Sequence, residues 1–197
     1  MESIILCGLP ASGKTTVAQL LAKELNFKMV GATDILKEMA KERGYKMSGA
    51  DWWDTQDGIK FLMERKSNPD FDKETDRRVI QIVKEGNVVI TSYTAPWICD
   101  IGFKCWLLAS LEKRSERMAR RDSIDLQESI QATKLRDKEN KELYKELYGF
   151  DFGKDLKPFD LVIKTDDRTA KQVAAIILEK YKIHAKVNRV SGKSHML

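Results

Sequence analysis

The sequence predicts an α/β domain built on a mainly parallel sheet. Three observations point there. Residues 3–7, "SIILC", form an apolar run too continuous for a half-exposed strand, and a strand buried on both faces belongs in a parallel sheet. A helix-period segment follows at once, with Val17, Leu20, Leu21 and Leu25 on one face between residues 15 and 25. Strand-like and helix-like segments then alternate along the chain.

Taken in order, a second short strand is expected at residues 27–30. Asp34 is placed as the cap of a helix, "ILKEMAKER", that Gly44 stops. Residues 51–86 are polar and mixed, and end in a helix carrying Val79, Ile80 and Val83. "NVVIT" (87–91) and "FKCWLL" (103–108), rich in β-branched and aromatic residues, are further strands. A strongly charged helix fills residues 110–122. Asp125 and Glu128 make a capping box for a long helix ending near Tyr148. "FDLVIKT" (159–165) is the fifth strand, and Thr169 with Gln172 opens a helix through Ile176, Ile177 and Tyr181. The expected division is one domain over residues 1–181, followed by a loosely held basic tail over 182–197.

The 197 residues suit one compact domain, and 42% hydrophobic with 33% charged residues is an ordinary balance for a soluble enzyme. Cys7, Cys99 and Cys105 lack paired spacing and read as reduced, strand-associated thiols. The apolar runs are too short to cross a bilayer, and the first strand leaves no room for a signal peptide. The expected location is therefore the cytoplasm. A net charge of +5 arises from 35 basic and 30 acidic residues that are interspersed, which describes a solvated surface rather than a nucleic-acid face. His184 and His195 lack partners at metal-ligand spacing.

The chemistry is concentrated at the end of the first strand. Gly8, Gly13, Lys14 and Thr15 satisfy G-x-x-x-x-G-K-[ST], the P-loop signature. Glycines let the backbone curl until its N–H groups point at phosphate oxygens, and the following helix adds its positive end. The expected ATP site is Gly8, Leu9, Pro10, Ala11, Ser12, Gly13, Lys14, Thr15 and Thr16. Within it Lys14 reaches the terminal phosphates and the Thr15 hydroxyl holds Mg²⁺. Arg117 and Arg121, four apart on one helical face, and Arg136 on the next helix suit a cover that excludes water and stabilises a transferring phosphoryl group. Trp52 and Trp53 are a candidate platform for an acceptor base, although adjacent helical residues face different ways and at least one should simply pack.

"IILCGLPASGKTT", "DILKEMAKERG", "KRSERMARRD" and "ELYGFD…PFDLVIKT", in that order, resemble the archaeal type of cytidylate kinase, a nucleoside monophosphate kinase. The resemblance covers roughly residues 3–181. It implies a three-layer P-loop sandwich on a five-stranded parallel sheet, with a monophosphate-binding insertion at about residues 34–85 and a helical lid at about 112–140. It also implies ATP- and Mg²⁺-dependent phosphorylation of CMP or dCMP. The expected partners are small-molecule nucleotides, with no membrane and no nucleic acid, as the apolar runs and interspersed charge suggest, and the chain is expected to be a monomer. By position, Arg117 stacks on or near the ATP base, Arg121 and Arg136 contact phosphates, and Asp76 and Arg77 line the monophosphate site.

The chain departs from that pattern on the acceptor side. Lys37 stands where the family has an arginine, keeping charge but losing the bidentate fork. Thr91, Ser92 and Tyr93 replace an acidic residue, a glycine and an arginine, so Tyr93 takes an acceptor-binding position. Leu143 replaces a further arginine. Two alternatives remain open at this point: a P-loop kinase of another small acceptor, and a nucleotide-binding module with little catalysis.

Overall fold

A computed structural model describes residues 1–46, 56–68 and 70–190. Strands β1 (Ile4–Cys7), β2 (Lys28–Gly31), β3 (Val88–Thr91), β4 (Phe103–Leu108) and β5 (Leu161–Lys164) form one sheet in the order β2-β3-β1-β4-β5. Every pairing is parallel, with Ile5 opposite Ile90 on one side and Lys104 on the other. All four residues of β1 are fully buried, as its unbroken apolar run requires.

Alternate side chains of the sheet supply two cores. Ile4, Leu6 and Leu107 face α1 (Lys14–Leu25) and α8 (Ala170–Val190), whose Leu21, Ile177 and Tyr181 close that side. Ile5, Val88 and Ile90 face α2 (Ala32–Glu42) and α4 (Asp70–Glu85), which contribute Met39, Val79 and Val83. α3 (Gln56–Ser67) adds Phe61 to this second core. A third, aromatic cluster covers Cys7 and Trp106 with Tyr144, Phe150 and Phe152. The chain is thus a helix–sheet–helix sandwich.

Local chemistry sets the element ends. Ser110 caps α6 (Leu111–Asp122) by accepting from the Lys113 N–H at 3.2 Å. Asp125 caps α7 (Leu126–Tyr148) by accepting from Gln127 N–H at 2.7 Å. Gln172 accepts from the Thr169 N–H at 2.8 Å, the reciprocal half of the expected capping box.

Three boundaries differ from the sequence expectation. Asp34 is not the cap of α2; it lies inside the first turn, and its carboxylate accepts the Gly31 N–H at 3.0 Å. A short helix, α5 (Ala95–Ile98), follows β3, seeded by the Ser92 hydroxyl, which accepts from Ala95 N–H at 3.1 Å. α8 does not stop at Tyr181 but continues to Val190. His184 anchors that extension 3.1 Å from Glu2 and packs on Phe103. Cys7, Cys99 and Cys105 are free and buried. Among the described residues no helix is long and apolar enough to cross a membrane.

Because β1 has β3 on one side and β4 on the other, its carboxyl end opens at the point where the strand order reverses. Ligands bind at such a point in an open α/β sheet.

Candidate active site

A cavity of about 640 Å³ lies at that switch point. Its floor is the loop after β1 with the start of α1, represented by Ala11, Gly13, Lys14, Thr15 and Thr16. Arg117 and Arg121 of α6 form one wall. The rest of the lining comes from the start of α2, with Thr33, and the end of β3, with Thr91, Ser92 and Tyr93.

The loop needs its first glycine for two reasons. Gly8 has φ 149°, and a Cβ there would lie 2.6 Å from the Leu107 carbonyl oxygen and 2.7 Å from Ser12 Oγ. Gly13 has φ 97° but open space around it, so only its backbone conformation demands glycine. The buried Ser12 hydroxyl has no hydrogen-bond partner among the described residues.

Lys14 is already shaped for an anion. Its Nζ donates to the carbonyls of Gly8 at 2.8 Å and Leu9 at 3.0 Å, leaving one of three N–H donors. The ammonium lies over the Tyr93 ring, 4.8 Å from its centroid. Burial pushes its pKa down to about 8, a shift opposed by the Cys7 thiol and reinforced by the Arg114 charge. Burial also pushes the Tyr93 hydroxyl up to about 12.

The arginines of α6 divide their work. Arg114, buried, forms a two-pronged ion pair with Asp137 of α7 and donates to the Pro10 carbonyl at 3.3 Å. Arg117 donates to the Ser12 carbonyl at 3.2 Å and to both Thr165 oxygens, at 3.1 and 2.7 Å. These two hold the loop from outside, while Arg117 also lines the cavity. Arg121 reaches the cavity with its side chain 57% exposed and its guanidinium clasped by Asp122 at 2.6 and 2.7 Å. Asp122 is held below the usual carboxylate range by Arg121 first and by Arg136 at longer range.

The other expected site residues are dispersed. Arg136 is exposed and outside the cavity wall. Lys37 sits half-buried on α2, one turn past Thr33 and also outside the wall. Asp76 is buried, and its carboxylate accepts the hydroxyls of Thr94 and Tyr148, tying α4 to the β3–α5 turn and the end of α7. Arg77 is exposed, pairs with Glu74 at 2.9 Å, and borders a separate shallow depression of about 430 Å³. Trp52 and Trp53 lie outside the described residues. Leu143 packs with Tyr93 against the aromatic cluster, so an apolar contact occupies the neighbourhood of two arginines in the resembled pattern.

The sequence reading missed Arg114, Asp137, Thr33 and Thr165. Arg114 shares the α6 stripe with Arg117 and Arg121, and that spacing was the available signal; the other three become neighbours only in the fold.

The donor set suits Mg²⁺ carried by a nucleotide. The exposed Thr15 hydroxyl makes no hydrogen bond among the described residues, and Thr91 offers a second hard oxygen. No carboxylate lines the cavity among the described residues, and none of these residues form a His/Cys/Asp/Glu group able to cage a metal. A cation with few protein ligands, completed by phosphate and water, is the usual habit of Mg²⁺.

The comparisons with known proteins agree with this geometry. The chain is 35% identical over 175 residues to a cytidylate kinase from Pyrococcus horikoshii, covering 88% of this chain and 85% of that one. It is 36% identical over 179 residues to a cytidylate kinase from Methanocaldococcus jannaschii, covering 88% and 94% respectively. In fold it resembles a shikimate kinase from Bacteroides thetaiotaomicron, with a TM-score of 0.55 at 19% identity over 91% of this chain and 97% of that one. Residues 4–167 match the cytidylate kinase-like family, and with the phosphate loop, the α6 arginines and the parallel sheet in place, the chain is a P-loop kinase belonging to that family.

Proposed function

We propose that the protein transfers the γ-phosphoryl group of Mg²⁺-bound ATP to a nucleoside monophosphate, CMP or dCMP, giving the diphosphate and ADP. The observation that carries this is the convergence of Lys14, Thr15 and Arg121 on one cavity at the carboxyl end of β1. The kinship with cytidylate kinases supports the acceptor.

Phosphoryl transfer asks little covalent chemistry of a protein; positioning and charge stabilisation do most of the work. The loop amides and the α1 N-terminus hold the phosphates. Lys14, with two N–H groups fixed on loop carbonyls, presents the third to a terminal phosphate oxygen without further ordering. Arg121 turns from Asp122 toward the charge that develops on the transferred group. Arg114 and Arg117 keep the loop in shape during this exchange. Thr15 would hold Mg²⁺ brought in with the nucleotide, and the ion would supply neutralisation of the phosphate charge.

The α2 and β3 side of the cavity favours a second reading. Thr33, Thr91 and Ser92 bring hydroxyl-bearing side chains to it and, among the described residues, no arginine stands beside them there, a lining suited to an uncharged hydroxyl acceptor. A coupled ADP-release assay decides between the two. Stimulation by CMP or dCMP above other nucleoside monophosphates supports the proposal. Stimulation by small polyols alone supports the second reading, and no stimulation by any acceptor removes both.

A further inference from the structure

We propose that Tyr93 is a positioning residue for Lys14, acting through the face of its ring. This rests on the nucleotide-site reading above. The Lys14 ammonium is fixed on two sides by the Gly8 and Leu9 carbonyls and lies over the Tyr93 ring, 4.8 Å from its centroid. An aromatic face attracts a cation at that range through its quadrupole. The ring is itself immobilised, packed against Tyr144 at 6.1 Å and edge-on to Phe152 at 5.4 Å. The Tyr93 carbonyl accepts the Cys7 thiol at 3.6 Å, which pins the turn to β1.

The consequence is chemical. A second cation beside Lys14 would repel it, whereas a ring attracts it and leaves its free N–H directed at the cavity. Tyr93 therefore belongs to the ATP side of the site, preorganising the lysine before the nucleotide arrives. Holding a flexible four-carbon side chain in its bound position lowers the ordering cost of binding.

The test grades the ring's electron density while conserving its size. Tyr93→Phe and replacements of Tyr93 by mono-, di- and trifluorinated phenylalanine are compared with Tyr93→Leu. Three quantities are read: Kd for Mg-ADP with no acceptor present, KM for the acceptor, and melting temperature. The expected result is wild-type affinity for Phe, stepwise weakening with each fluorine, and about fivefold weakening for Leu, the size expected of a half-buried cation–ring contact. The fluorinated proteins should melt with the Phe variant, so the result stands even if Tyr93→Leu folds poorly. A flat fluorine series, or a change confined to the acceptor KM, overturns the inference while leaving the nucleotide site standing. Failure of the wild-type protein to bind Mg-ADP overturns both.

Discussion

Arg114 and Asp137 meet in a buried, two-pronged ion pair at 2.8 and 2.7 Å, and the same guanidinium donates to the Pro10 carbonyl of the phosphate loop. One contact thus joins α6, α7 and the loop. The Ser129 hydroxyl, donating to the Ser115 carbonyl at 2.7 Å, fastens the same helix pair nearer its turn. The α6–α7 hairpin therefore cannot shift without the loop sensing it. Removing one partner leaves the other charge buried and alone. Asp137→Ala is expected to cost about 3–5 kcal/mol of stability, and Arg114→Leu with Asp137→Leu distinctly less. Chemical denaturation of the three proteins checks this ordering.

The two loop glycines should fail differently when given a methyl group. Gly13→Ala meets nothing and faces only its positive φ, a cost of about 1–2 kcal/mol. Gly8→Ala drives its Cβ to 2.6 Å from a β4 carbonyl oxygen, which is backbone and cannot step aside. Gly8→Ala should therefore lose Mg-ADP binding altogether and melt lower than Gly13→Ala. Calorimetric titration and thermal melts separate the two.

Nucleotide affinity should fall in alkali. Burial holds the Lys14 pKa near 8, and a phosphate binds the charged form. Affinity for ADP is expected to be level below pH 8 and to decline about tenfold per unit above it, until bound phosphate can no longer draw the proton back. The sign for stability is opposite. The unfolded chain keeps its lysine protonated up to the ordinary value of 10.5, so between about 8 and 10.5 the unfolded state binds more protons and folding gains as pH rises. Titration calorimetry and denaturation across this window read the two effects separately.

Arg121 is expected to act on the rate more than on binding. Its guanidinium rests on Asp122 and the residue lines the cavity, where, on the proposed function, it would meet the negative charge that develops on the transferred group. Arg121→Ala should lower kcat by about a hundredfold or more, the loss seen when a preorganised donor to a developing charge is removed. KM for ATP should change less than tenfold. Equal losses in both would make Arg121 a binding residue.

What could be read from the sequence follows the range of the interactions. The strands, the Asp125 and Thr169 caps and the glycine loop depend on residues within a few positions of one another, and all were legible. So was the pairing of Arg117 with Arg121, because helical spacing is local. The Arg114–Asp137 pair joins residues 23 apart, and no local pattern announces it. Arg77 looked like a site residue from its segment, yet its helix turns it outward toward Glu74. Asp76, its neighbour, points inward instead, to two hydroxyls from distant segments. The run from Lys182 to Val190 looked aperiodic, and its helix is secured by contacts with Glu2 and Phe103 that only the tertiary fold supplies.

On the proposed function, the cavity beside Lys14 transfers phosphate from ATP to a cytidine monophosphate. Phosphorus NMR of the protein with Mg-ATP and CMP reads both products at once. CDP and ADP should appear in equal amounts, and Lys14→Met should abolish both. ADP formed without CDP, or no turnover with CMP and dCMP while another acceptor is phosphorylated, would contradict that function.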